Sequence, residues 1–244
     1  MLIHKSMHPT YLSNTWLVAD RPGGSAVLVD TGGPAEPILE KIAALDLTLT
    51  HILCTHHHVD HVLGNDLFRD RFAVPVCGHE AEADLFAGLD RQLCHDQVLT
   101  SGDLSVRVIH TPGHTAGQAS FLVNDEALFS GDTLFRGSVG GTRAPGHTTF
   151  QDLQHSIMER LMTLDRRIAV YPGHTESSTL AAEWENNRFI RLWRGADRPE
   201  EAPCTAFGRP ATLMLRAPDY DGGTKCQVRS PGGVIEVVPG SAVR

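Results

Sequence analysis

The chain has 244 residues, 41% of them hydrophobic and 20% charged, which suits one large domain, or one domain with a small appendix, around a sizeable core. Its formal net charge of −8 argues against a nucleic-acid surface, because phosphate binding favours a basic face. No apolar run approaches the ~20 residues of a membrane helix, His8 and Pro9 interrupt the N-terminus before a signal-peptide core can form, and five scattered Cys without a C-x-x-C suit reduced thiols, so a cytoplasmic protein is expected.

Taken in order, Met1–Lys5, Thr15–Asp20 and Ala26–Asp30 read as short strands, the last two joined by the turn Arg21-Pro22-Gly23-Gly24. Ile38, Leu39, Ile42 and Leu45 mark one face of a helix over Glu36–Leu45. A strand over Leu49–Cys54 follows, then a helix over Val62–Phe68, a strand over Ala73–Cys77 and a short helix over Ala81–Leu85. Val98-Leu99, the turn Ser101-Gly102-Asp103 and the alternating Leu104–Ile109 predict a hairpin. Ser120–Val123 and Ala127–Phe129 predict a second. Thr149 caps a helix whose apolar face holds Leu153, Ile157, Leu161 and Leu164. Ile168–Tyr171 reads as a strand and Leu180–Trp193 as a helix. From about Pro199 the helices stop, and Ala211–Leu215, Lys225–Arg229 and Val234–Val238 look β-like. The expected organisation is a catalytic domain over residues 1–198 and a β-rich extension of two or three strands over 199–244, packed on it because it is too short for its own core.

The densest chemistry lies in Thr55-His56-His57-His58-Val59-Asp60-His61. His56, His58, Asp60 and His61 emerge together at the carboxyl end of a predicted strand, where α/β proteins bind ligands. Imidazole and carboxylate suit Zn, Fe or Mn, and fourteen His in the chain raise the expectation of a metal. Three later loops each follow a predicted strand and present an imidazole or acid at a glycine bend: Pro112-Gly113-His114, Ser130-Gly131-Asp132 and Pro172-Gly173-His174. His57 is expected to point away from the ligands into a structural hydrogen bond. Among the remaining His, His110 is the nearest candidate to support a ligating imidazole.

The pattern H-x-H-x-D-H, followed by H, D and H, resembles the metallo-β-lactamase-fold hydrolases. Thr111–Thr115, Gly131–Ser138 and Tyr171–His174 look most like their glyoxalase II-like (hydroxyacylglutathione hydrolase-like) branch, and the resemblance runs from about Leu2 to Trp193. It implies an α/β (α+β) fold, a four-layer αββα sandwich with two divalent metal ions, Zn first and Fe or Mn as alternatives, along one edge of the sheets. It assigns His56, His58 and His114 to one ion, Asp60, His61 and His174 to the other, and Asp132 to both. The implied reaction is hydrolysis of an acyl thioester of a small thiol by a metal-bridging hydroxide, with Asp60 and Asp132 as catalytic carboxylates. Two ions ~3.5–4 Å apart lower the pKa of a shared water from ~15.7 towards ~7 and polarise the carbonyl. No nucleophilic side chain is needed, and no G-x-S-x-G occurs.

Two departures concern the substrate. Relatives in this branch often carry an Arg after the G-S-V-G run, where this chain has Gly141, so Arg136 or Arg143 becomes the candidate cation for an anionic substrate. Glyoxalase II also ends in a helical region whose basic residues bind glutathione, whereas Lys is scarce here after Pro199. Glutathione recognition is thus affected, and hydrolysis is not. The alternatives are a persulfide dioxygenase with one iron on His56, His114 and Asp132, or a lactonase on the same fold. A small-molecule substrate is expected, with no nucleic-acid or membrane partner, and the tail after Pro199 leaves a homodimer open.

Overall fold

The computed structural model describes all 244 residues, and its centre is two six-stranded sheets packed face to face. The first contains β1 (Leu2–Met7), β2 (Asn14–Ala19), β3 (Ser25–Val29), β4 (Thr48–Leu53), β5 (Val76–His79) and β6 (Arg91–Leu93), in that spatial order. Its first three strands are antiparallel and β3 to β6 run parallel. The chain then forms β7 (Val98–Ser101), β8 (Leu104–His110), β9 (Ala119–Val123) and β10 (Ala127–Gly131), a small hairpin of β11 (Leu134–Phe135) and β12 (Ser138–Val139), then β13 (Ala169–Pro172) and β14 (Ser178–Thr179). The second sheet has the order β14-β13-β10-β9-β8-β7, with β10 and β13 parallel.

Strand periodicity explains the layering. Successive side chains leave a strand on opposite faces. Trp16, Val18, Val27 and Val29 therefore enter the core between the sheets, where Val106, Val108, Phe121 and Phe129 meet them. The alternate residues Leu17, Ala19, Ala26 and Leu28 pack outward against Ile38 and Ile42 of α1 (Ala35–Ala44) and against Phe68. On the far side, Leu122, Leu128 and Val170 pack against Phe150 and Leu153 of α4 (Phe150–His155) and against the later helices. The central strands are thus apolar on both faces, as a sheet covered on both sides requires. The result is the expected αββα sandwich.

Several boundaries differ from the sequence expectation, each for a local reason. The single helix expected over Val62–Phe68 is two: α2 (Val59–Val62) and α3 (Asn65–Phe72). They part at Gly64, whose N–H leaves the helical ladder to donate to Thr31 O at 3.0 Å. Ala73 ends α3 in a left-handed conformation (φ 52°), so β5 begins three residues later than its apolar run. The strand β6 was not expected. The helix capped by Thr149 has the full reciprocal cap with Asp152, then widens to a π-helical turn over Ser156–Leu161. The helix expected over Leu180–Trp193 is broken into α5 (Leu180–Asn186) and α6 (Arg188–Trp193) by Asn187, which is extended (φ −70°, ψ 115°).

After α6 come four strands, β15 (Ala202–Ala206), β16 (Arg209–Pro218), β17 (Thr224–Arg229) and β18 (Ile235–Pro239), where two or three were expected. The unanticipated one is β15, an edge strand, the place where a Pro such as Pro203 is tolerated. Leu215, Ala217 and Val237 of this sheet enter the same core cluster as α4 to α6. No helix in the chain is long and apolar enough to cross a membrane.

Asn187 shows how a buried polar group ties these layers together. It is fully buried; its Oδ1 accepts from Phe189 N at 3.1 Å, and its Nδ2 donates to Ser138 O at 3.0 Å and Glu183 Oε2 at 2.9 Å. Asn187→Ala removes a cap and leaves two buried acceptors short of a donor, so urea denaturation should show a loss of about 2–4 kcal/mol.

Candidate metal centre

Every candidate ligand lies just past the carboxyl end of a strand, in a loop or, for Asp60 and His61, in the short helix α2, and both sheets contribute. The His56–His61 stretch follows β4, His114 follows β8, Asp132 follows β10 and His174 follows β13. Within the heptapeptide, the backbone passes from extended to helical at His58 (φ −60°, ψ 141°), which is the N-cap of α2. His56 and His58 thus precede the helix, while Asp60 and His61 leave from it. That change of direction divides the four residues into two sets.

The atoms converge in three overlapping groups: His56, His58 and His114; His56, His61 and Asp132; Asp60, His61 and His174. His58 Nδ1 lies 2.9 Å from His56 Nε2 and 3.1 Å from His114 Nε2. His61 Nε2 and His174 Nε2 are 3.3 Å apart. Asp132 stands between the sets: its Oδ2 is 3.5 Å from His114 Nε2 and 3.3 Å from His174 Nε2, and its Oδ1 is 3.4 Å from His61 Nε2. Asp60 Oδ2 is 3.6 Å from both His61 Nε2 and His174 Nε2. All seven candidate ligands are therefore brought together. Gly173 is needed for this closeness, because a Cβ there would fall 2.3 Å from Asp132 Oδ1.

The outward nitrogens explain which way the rings face. His114 Nδ1 donates to Gly141 O at 3.0 Å, His174 Nδ1 to Tyr11 O at 3.0 Å, and His58 Nε2 to Pro145 O at 2.9 Å. His61 Nδ1 donates to Asp30 Oδ2 at 2.9 Å. His56 Nδ1 donates to Thr55 Oγ1 at 3.0 Å, and that hydroxyl in turn donates to Asp30 Oδ2 at 2.8 Å. Each neutral imidazole carries one proton, so a ring that donates outward must present a lone pair inward. Lone pairs facing one another at 2.9–3.1 Å, beside the buried and unbonded Oδ1 of Asp132, are the donor set of a cation site. The clusters fit divalent metal on this ground.

Electrostatics agrees for three of the rings and sets His61 apart. Burial lowers the imidazoles of His56 and His58 from their ordinary value and takes His114 down to about 4, which keeps all three neutral at pH 7. Burial also acts to lower His61, but Asp132, Asp30 and Asp60 outweigh it and raise that imidazole to about 9. Burial acts to raise the Asp132 carboxyl, but the imidazoles of His174 and His61 hold it well below the usual range.

Sequence reasoning missed Asp30. It is 1% exposed, adopts a left-handed backbone (φ 53°) that Asp tolerates, and also accepts Thr55 N at 2.7 Å. Its signal was present, since Asp30-Thr31-Gly32 is an acid at a glycine bend after a strand, the pattern of the other loops. The support expected from His110 is not found: its Nε2 bonds Ala116 O at 2.8 Å and its ring stacks on His79 at 3.9 Å. His57 does turn away, with Nδ1 3.3 Å from the buried Glu82 Oε2. Tyr220 was also unforeseen; its ring stacks on His174 with centroids 4.4 Å apart. A cavity of about 470 Å³ opens beside His114, lined by Arg143, Tyr220 and Lys225 among others. Arg136 is exposed at the tip of the β11–β12 hairpin and does not line it.

Residues 8–174 match the Metallo-beta-lactamase superfamily. The chain belongs to this family. It is 38% identical over 206 residues to a hydroxyacylglutathione hydrolase of Rhizobium meliloti, a match spanning 82% of this chain and 77% of the relative. Among solved structures it resembles the BLEG-1 B3 metallo-beta-lactamase (29% identity, TM-score 0.72, 78% of this chain and 99% of that one). It also resembles TTHA1623 in a di-iron-bound form (30% identity, TM-score 0.64, 76% and 99%). The chain is a member of a metallo-hydrolase superfamily with relatives in the glyoxalase II-like branch.

Two measurements check the centre. Asp30→Asn should weaken metal binding about 10–100-fold in a chelator competition, with the far-UV circular dichroism of the wild type retained. Because His61 titrates near 9, it carries a proton at pH 7 in metal-stripped protein, and a metal must displace it. Calorimetry in buffers of different ionisation enthalpy should therefore show about one proton released per chain at pH 7, and metal affinity rising with pH towards 9.

Proposed function

We propose that this metallo-hydrolase is binuclear and cleaves an acyl thioester of a small thiol. The observation that carries the two-ion reading is Asp132, whose carboxylate lies 3.3–3.5 Å from imidazole nitrogens of both ligand sets. His56, His58 and His114 would hold one ion, Asp60, His61 and His174 the other, and Asp132 would serve both; Zn is the first candidate, with Fe or Mn as alternatives. The thioester reading is supported by the 38% identity to a hydroxyacylglutathione hydrolase. When bound, such a pair supplies a strongly acidified water and a Lewis acid for the carbonyl.

The chain's own residues do the rest. Asp60 is the most exposed of the carboxylates at the centre, its side chain 22% accessible, with Oδ2 facing both His61 and His174. It would accept a hydrogen bond from the attacking water and aim it at the carbonyl carbon. Asp132, 8% accessible and fixed among three imidazoles, keeps the two ligand sets in register. Tyr220, flat against His174, screens that ligand from bulk water.

Protein purified without chelator should contain about two ions of Zn, Mn or Fe per chain and release free thiol from an acyl thioester. Asp132→Ala should lower both the metal content and, by about 10³-fold or more, the rate of thiol release. One iron per chain, with oxygen consumed in the presence of a persulfide and no thioester cleaved, would replace this reading with the persulfide dioxygenase.

A further inference from the structure

The cavity beside the metal centre has a wall built by the C-terminal sheet, and the charges on that wall are already paired. Arg143, which lines the cavity, meets Glu236 along one edge of its guanidinium, Nε at 2.7 Å from Oε1 and Nη2 at 3.1 Å from Oε2. Lys225 is buried. Its ammonium donates to Val139 O at 2.7 Å, lies 3.1 Å from Asp219 Oδ1, and has the ring of Phe135 at 5.0 Å and that of Tyr220 at 5.3 Å. With two acceptors and two ring faces around it, this Lys is fully engaged. Asp221 adds a further negative charge to the lining. Away from the proposed metal ions, a substrate carboxylate entering here meets no unpaired side-chain cation, and Asp221 faces it without an ion-pair partner of its own.

Phe207 is the other unusual feature. It lines the same cavity, is 52% exposed, and carries the Arg143 guanidinium over its ring at 5.2 Å. It also occupies the first position of the two-residue turn joining β15 to β16, closed by the pair Ala206 and Arg209. Phe207 has φ 49° and Gly208 φ 73°. Such a turn favours Asn-Gly, because a left-handed backbone crowds a bulky side chain. An exposed aromatic held where the backbone disfavours it is a feature of ligand sites more than of turns.

We infer that this cavity binds an uncharged, partly apolar portion of the substrate against the Phe207 ring, and that it discriminates against the two-carboxylate tripeptide thiol glutathione. The inference rests on the thioester-hydrolase reading for the reaction, but its recognition part can be tested by binding alone. With metal-loaded protein, the neutral thioether S-benzyl-N-acetylcysteamine should bind about tenfold or more tightly than S-benzylglutathione, since a carboxylate here loses hydration without gaining a partner. With a common lactoyl group, the N-acetylcysteamine thioester should show the higher kcat/KM. Phe207→Asn should weaken binding of the neutral thioether about fivefold while leaving the melting temperature equal or higher, and Phe207→Tyr should keep the affinity within about twofold. A glutathione thioether that binds as tightly as the neutral one, or tighter, overturns the inference, as does unchanged affinity in Phe207→Asn. If neither thioester is cleaved but the thioether preference and the Phe207 effect stand, the thioester reading fails and the recognition site survives.

Discussion

The carboxylate of Asp30 touches no candidate metal position, yet the geometry of the centre depends on it. It takes the outward proton of His61 directly and that of His56 through Thr55, so one buried acid orients an imidazole in each ligand set. It also accepts the Thr55 N–H at the point where the chain leaves β4. The backbone entry to the His-rich stretch and the rotation of two of its rings are thereby fixed by the same group. Backbone carbonyls of Tyr11, Gly141 and Pro145 do the same for the other three imidazoles. Metal affinity in such a site is a property of this outer layer as much as of the ligands, because an imidazole free to rotate or to change tautomer offers its lone pair only part of the time.

The sandwich supplies what those hydrogen bonds need. Asp30 and the His-rich stretch stand on the first sheet; His114, Asp132 and His174 stand on the second. The apolar residues between the sheets, Trp16, Phe121 and Phe129 among them, hold the two strand edges at a set separation. A Trp16 Nε1 bond to Pro172 O at 3.0 Å ties the first sheet to the loop that presents His174. A cluster assembled from four strand ends, with the ligand atoms of each overlapping group within 4.8 Å of one another, needs that rigidity.

The C-terminal sheet completes the site from a third direction. Its Leu215, Ala217 and Val237 enter the core beside α4 to α6, which anchors Tyr220 over His174 and Lys225 beneath the cavity. The loops that carry the ligand candidates lie within the stretch matched to the family, whereas this wall comes from the chain beyond it. On the proposed reading, chemistry and selectivity are built by different stretches of the chain, and a change in the tail would alter what is bound without disturbing the metal ligands.

Much of this was legible in the residues themselves. Seven ligand candidates could be read from residue type, spacing and glycine bends, because metal chemistry demands particular side chains and tight turns demand glycine. The αββα sandwich was legible only through the resemblance that those ligand motifs carry. The breaks at Gly64 and Asn187 were not legible, because each depends on a partner far along the chain, Thr31 in one case and Ser138 in the other. Nor was the role of Asp30, since its side chain acquires meaning only when β3 lies beside β4. Arg143 looked like a free cation in the sequence, and only the folded chain puts Glu236 against it. Local composition thus determined the class of chemistry, while long-range pairing decided which rings face inward, which charges are neutralised and what the cavity can hold.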